Sequence, residues 1–321
     1  MHDNHHVMKL VPGRFSWRRQ HENASDTQQM EHATHPPPRS GKPVFPTFPE
    51  GIKVLYDCAD AAVDICFVHG LTGDRERTWT AEGQSIPWPQ VLLPAKLDRA
   101  RILTYGYDAY IVRTSVASTN RLIDHATNLL VDLASERDLS NSSSRPLIFV
   151  AHSLGGLVCK RAILLSRNNP ELPLRTIFAA LKGVVFMGTP HKGAWMADWA
   201  RIPVSTLGLV KSSNVSLLDV LQRNNQLLES VQVDFLAMMR QLREEGRGLE
   251  ITCFFEELPV PGAGVIVSKE SATFEGYAAR SIYANHGNMV KFATAEDNGF
   301  RRLLWELSRW TSNSGENPSE L

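Results

Sequence analysis

From Val54 onward the chain carries short apolar runs rich in β-branched and aromatic residues. They are DICFVHG (64–70), RILTYGY (101–107), PLIFVAHS (146–153), GVVFMGT (183–189), ITCFFEE (251–257) and GVIVSKE (264–270), with KVLYD (53–57) as a further candidate. Most are apolar throughout rather than alternating, the pattern of strands covered on both faces. Stretches of helical spacing separate them. In 115–138 the apolar positions are Val116, Leu122, Ile123, Ala126, Leu129, Leu130 and Leu133. In 298–311, Phe300, Leu303, Leu304, Leu307 and Trp310 share one face. Strands alternating with helices predict an α/β fold, a mostly parallel central sheet with helices on both faces. No internal repeat interrupts it.

Three segments depart from this rhythm. Residues 1–50 are polar, His- and Gln-rich, and end in HPPPRSGKPVFPTFP, which predicts a disordered Pro/His-rich arm ahead of a folded domain over 51–312. Residues 313–321 read as a flexible tail. Residues 194–245 form a long interval, mostly helical in pattern, between two strands; it is either a cap over a site or extra core helices.

The run FVAHSLGGLV (149–158) places a serine and two glycines between a strand end and a helix start. This fits a nucleophile elbow, with Ala151 and Gly155 as the small residues on either side of Ser153. The turn presents the serine at the C-terminal edge of a parallel sheet, where ligands bind in α/β folds. A helix beginning with Gly155-Gly156 has poor intrinsic propensity, so a simple capping serine is the weaker reading.

A nucleophilic serine needs a base, an acid to orient the base, and donors for an oxyanion. FVHGLTGD (67–74) ends a strand in a His-Gly turn and suits one oxyanion arm, the N–H of Leu71 or a neighbour, beside the N–H of Leu154. An ordinary strand-ending turn is the bland reading. Elbow hydrolases run serine, acid, histidine along the chain. Downstream acids at a strand end are Glu256 and Glu257, and His286 is the histidine beyond them. Glu256, the first polar residue after Phe255, is preferred; Asp198 is a fallback. His191 precedes the acids and reads as a residue that lines the site or holds a loop. His125 sits mid-helix and reads as a surface or packing residue, and the His152 side chain as leaving the elbow in another direction.

Lys plus Arg number 34 and Asp plus Glu 34, a balance that points away from nucleic acid and polybasic membrane docking. No apolar run reaches the ~18–20 residues that span a bilayer, and the first residues lack the apolar core of a secretory signal. The four cysteines, Cys58, Cys66, Cys159 and Cys253, contain no C-x-x-C pair; no metal site is expected, and reduced thiols suit an intracellular, cytoplasmic setting.

Taken together, FVHGLTGD, TW…WPQVLLP, RILTYGYDA, AHSLGGLVCKRAI, GVVFMGTPHKG, FFEELPVPG, SKESATFEGY and ANHGNMVKF resemble the α/β-hydrolase superfamily. More narrowly they resemble lipase-like serine esterases. That group includes serine-active-site-containing proteins and the inositol deacylase of glycosylphosphatidylinositol, and the likeness is greatest to fungal members. The resemblance covers roughly residues 50–312. It implies a hydrolase without cofactor in which Ser153, His286 and Glu256 form a triad, acting on a small-molecule or lipid ester. It also implies possible sites at mitochondrial or endoplasmic-reticulum membranes, with peripheral association. A second reading keeps the fold as a signalling or interaction module with little turnover.

Overall fold

In the computed structural model, which describes residues 49–71, 73–108, 118–192 and 215–312, the apolar runs line up as one seven-stranded sheet. The strands are β1 (Gly51–Tyr56), β2 (Val63–Val68), β3 (Ala100–Gly106), β4 (Leu147–His152), β5 (Leu181–Met187), β6 (Glu250–Glu256) and β7 (Ala278–Ile282). Their order is β1-β3-β2-β4-β5-β6-β7. β1 pairs antiparallel with β3, and every other pairing is parallel. The helices are α1 (Trp88–Leu92), α2 (Ser118–Leu139), α3 (Gly155–Arg167), α4 (Leu172–Ala180), α5 (Val215–Glu244), α6 (Lys269–Ala272) and α7 (Asn298–Ser312).

The strand pattern follows from two-sided burial. Along β4, Phe149 and Ala151 enter one apolar cluster with α2, α3 and the described part of α5. Ile148 and Val150 enter a second, with Trp79, Trp88 and the α7 residues Leu303, Leu307 and Trp310. Every β4 residue is buried, so no polar face is needed and none is present until His152. At the N-terminal end of β2, buried Asp64 receives Arg137 of α2 at 2.5 Å and Arg145 at 2.8 Å. Two cations on one carboxylate satisfy it, and they tie the C-terminal end of α2 to the start of two strands.

Two features differ from the sequence reading. GVIVSKE (264–270) is a loop leading into α6, not a strand. Its apolar side chains Ile266 and Val267 are buried, but their N–H groups bond a side chain rather than a neighbouring strand. The seventh strand is instead AARSI (278–282), which is half-buried at the sheet edge and lacks the apolar run of an inner strand. The arm before residue 49, residues 193–214 and the tail after residue 312 lie outside the described residues. The rest of the 194–245 interval is mostly α5.

Candidate active site

β4 ends at His152, and the chain turns within two residues into α3. Ser153 takes φ of 55°, a left-handed conformation that costs a non-glycine residue about 1–3 kcal/mol. Backbone bonds hold it there. Ser153 N–H donates to the Met187 carbonyl at 2.9 Å, and Gly156 N–H donates to the Ser153 carbonyl at 3.1 Å. The small residues have measurable reasons. A Cβ on Gly155 would lie 2.3 Å from the His69 carbonyl oxygen and 2.6 Å from that of Val68. Only glycine lets α3 begin this close to the end of β2.

Three candidate side chains form one hydrogen-bonded row. Ser153 Oγ lies 3.0 Å from His286 Nε2, and His286 Nδ1 lies 2.5 Å from Glu256 Oε2. All three residues are buried. Glu256 is the last residue of β6, and its other oxygen accepts the N–H groups of Ile266 at 2.5 Å and Val267 at 3.3 Å. The carboxylate is thereby committed at both oxygens, one to a loop and one to an imidazole. This bonding favours Nδ1–H on His286 and leaves Nε2 as the acceptor of the serine proton. Gly188 has φ of 58°, and a Cβ there would sit 2.9 Å from His286 Cε1. The imidazole therefore lies against bare backbone at the end of β5.

The His-Gly turn after β2 lies directly beside the serine. A Cβ on Gly70 would be 2.8 Å from Ser153 Cβ. His69 is fully buried, and burial pushes its imidazole down to about 4. As a neutral ring it donates from Nδ1 to the Gly70 carbonyl at 2.8 Å and accepts the Tyr107 N–H at Nε2 at 3.3 Å. Tyr107 returns its hydroxyl to the His69 carbonyl at 3.0 Å and stacks on the ring at 4.4 Å. The turn is therefore tied to Tyr107 at both its ring and its backbone. The N–H groups of Leu71 and Leu154 follow the ends of β2 and β4, and neither donates to an acceptor among the described residues.

The remaining candidates stand elsewhere. Glu257 is exposed, with its N–H on the Ile282 carbonyl at 3.1 Å. His191 is buried, its Nδ1 2.6 Å from Lys160 Nζ and its Nε2 3.6 Å from Cys253 Sγ. Asp198 lies outside the described residues. His125 packs its ring at 4.8 Å from Tyr107. His152 was expected to lead away from the site, yet its Nε2 lies 3.0 Å from the His286 carbonyl oxygen. The sequence carried no signal for that contact, for Lys160, or for the loop N–H groups that hold Glu256. Each depends on pairing between segments far apart in the chain. Among the described residues there is no group of three His, Cys, Asp or Glu side chains that could hold a metal ion. Nor is any helix there long and apolar enough to cross a membrane.

A mostly parallel sheet with helices on both faces and a strained serine between strand and helix defines an α/β-hydrolase. The chain belongs to the family described as "Putative serine esterase (DUF676)", whose model matches residues 65–234, more than half of the 321 residues. Protein SERAC1 of Mus musculus is 24% identical over 295 residues, covering 84% of this chain and 43% of that protein. Protein SERAC1 of Danio rerio is 29% identical over 156 residues, covering 43% of this chain and 23% of its own length. The chain spans less than half the length of the curated relatives it matches. Among solved structures, the NocB thioesterase domain from the nocardicin cluster is 13% identical with a TM-score of 0.43, over 79% of this chain and 99% of that one.

Proposed function

We propose that the chain hydrolyses carboxylic esters through an acyl-enzyme on Ser153, with His286 as base and Glu256 as its orienting acid. The observation that carries this reading is the unbroken row from Ser153 Oγ to His286 at 3.0 Å and from His286 to Glu256 at 2.5 Å. Ser153 Oγ attacks the ester carbonyl carbon as His286 Nε2 takes its proton. The carbonyl oxygen becomes an oxyanion, held by the N–H groups of Leu71 and Leu154. The tetrahedral adduct collapses, and the alkoxide leaves as an alcohol with the proton from Nε2. Water then gives a proton to Nε2 and its hydroxyl oxygen to the acyl carbon; the adduct collapses, Nε2 returns that proton to Ser153 Oγ, and the carboxylic acid leaves and gives its own proton to solvent. Through both steps Glu256 holds the Nδ1 proton and stabilises the imidazolium.

The substrate proposed is an ester with an apolar acyl group, a lipid ester included. Buried Leu71 and Leu154 beside the serine, and Met289 near the His286 ring, support that preference. The test is a fluorophosphonate probe followed by p-nitrophenyl esters of graded chain length. Ser153→Ala is expected to abolish labelling and to lower turnover by about a millionfold, to background. A folded variant that still hydrolyses near the wild-type rate would end the reading. A rate that falls steadily with acyl length would end its apolar part.

A further inference from the structure

His152 precedes the nucleophile and is the last residue of β4. Strand alternation turns its side chain to the face that holds Ile148 and Val150, away from the α3 side. On that face lies the turn carrying His286. The carbonyl of Asn285 in this turn already receives the N–H groups of Asn288 at 3.0 Å and Met289 at 2.9 Å. The next carbonyl, that of His286 itself, lies 3.0 Å from His152 Nε2. The two imidazole rings are 4.9 Å apart, inclined by 39°. The far side of the His152 ring reaches the oxyanion turn, where Nδ1 would be 3.2 Å from a Cβ on Gly70.

We propose that His152 is a positioning residue. Its Nε2–H holds the backbone of the base at a fixed distance from the nucleophile, while its ring backs the turn that carries Leu71. The proposal rests on the triad reading above. A carbonyl can only accept, so Nε2 must carry the proton and Nδ1 must not. Burial, together with the neighbouring His286, keeps this imidazole well below its ordinary value, so the ring stays neutral and the tautomer stays defined. The consequence is geometric. Ser153 and His152 are covalent neighbours, so a bond from His152 to the His286 backbone fixes nucleophile and base in one frame. Beside it, the turn over 285–289 meets β4 through the apolar packing of Met289 with Ile148 and Val150, which is not directional, and His286 meets Ser153 through the bond whose proton must move.

Three substitutions separate this role from simple packing. Gln places an amide nitrogen at the position of Nε2; Asn is one bond short of it; Leu fills the space with no donor. A misplacement of about 1 Å costs about 100-fold in rate, so His152→Asn and His152→Leu should lose about 10- to 100-fold in kcat with KM changed by less than about twofold. His152→Gln should stay within about threefold of wild type. An independent readout is the downfield proton resonance of His286 Nδ1–H, assigned by its disappearance in His286→Gln. It should persist in His152→Gln and broaden or vanish in His152→Asn and His152→Leu.

If His152→Leu does not fold, the Gln and Asn variants decide the matter. Equal kcat and equal proton spectra in those two overturn the proposal, as does a loss that appears in KM alone. Should Ser153→Ala remain active, the hydrolase reading falls. The proton resonance then judges His152 by itself: retained in Gln and lost in Asn supports it, and unchanged in both overturns it.

Discussion

Glu256 and Glu257 are neighbours in sequence with opposite surroundings. Glu256 is buried, bonded to His286 and to two loop N–H groups, whereas Glu257 is exposed. Successive residues of an extended chain face opposite sides, so one step along β6 exchanges the site for solvent. We predict that Glu256→Gln lowers ester turnover by about 10⁴-fold, because an amide nitrogen facing Nδ1 favours the wrong tautomer. Glu257→Gln should be close to wild type. Both are measured on one short ester, with folding checked by circular dichroism. A larger loss in Glu257→Gln would move the acid by one residue. The preference for Glu256 rested on FFEE, where the first polar residue marks the end of a buried strand, and on the family resemblance. The partners of its second oxygen were not, because Ile266 and Val267 look like strand residues in linear pattern. An apolar run reports burial, and a buried loop has the same composition as a buried strand.

At the scale of elements, a single lysine joins three of them. Lys160 of α3 is fully buried, with Nζ 2.6 Å from His191 Nδ1 beyond β5 and 2.5 Å from Gln232 Oε1 on α5. Phe186, Phe235 and Phe274 ring it at 5.0–5.7 Å. Burial pushes its amine from 10.5 down to about 7, with Cys253 acting weakly the other way. The other titratable groups facing it stay neutral near pH 7–9. His191 is held well below its usual value by burial and by Lys160, and burial pushes the Cys253 thiol up to about 12. Between pH 7 and 10.5 the unfolded chain therefore carries a proton on Lys160 that the folded chain lacks, so this group's contribution to stability rises with pH. It is fully present above 10.5 and is lost as pH falls through 7. We predict that wild type gains stability over Lys160→Met by about 2 kcal/mol from pH 7.5 to 9, at no more than about 1.4 kcal/mol per unit. Urea unfolding of both proteins across that range gives the difference directly. A flat or falling difference would mean that the amine stays charged inside. Nothing in AHSLGGLVCKRAI marks this residue. A lysine at a buried helical position contradicts the amphipathic pattern, and only the aromatic ring and two acceptors from other elements make it tolerable.

For the whole molecule, the β/α alternation was legible because both faces of the sheet are covered, which makes inner strands continuous apolar words. The edge was harder. β7 is half-buried, and AARSI reads as neither an apolar run nor a clean alternation. The serine turn was legible for the opposite reason: small residues at fixed offsets answer a local steric demand. The choice of its remote partners rested on chain order, on the strand end at FFEE and on the family resemblance. The polar arm before the domain should contribute little apolar burial. Removal of residues 1–45 is expected to leave hydrolysis of small esters within about twofold of the full chain. Parallel assays at equal concentration check this, and aggregation or loss of rate in the shortened protein would show that the arm supports the domain.

The nucleophile and its base are separated by 133 positions of chain. At ~5–20 residues added per second, a ribosome needs roughly 7–27 seconds to pass from one to the other. During that interval the elbow has been made, but nothing can take its proton, and the carboxylate at the end of β6 has no imidazole to orient. On the proposed reading, a chain released before His286 is made carries Ser153 without its base. Under the proposed triad, hydrolytic competence waits for the turn beyond β7, so the order of synthesis sets when activity can begin.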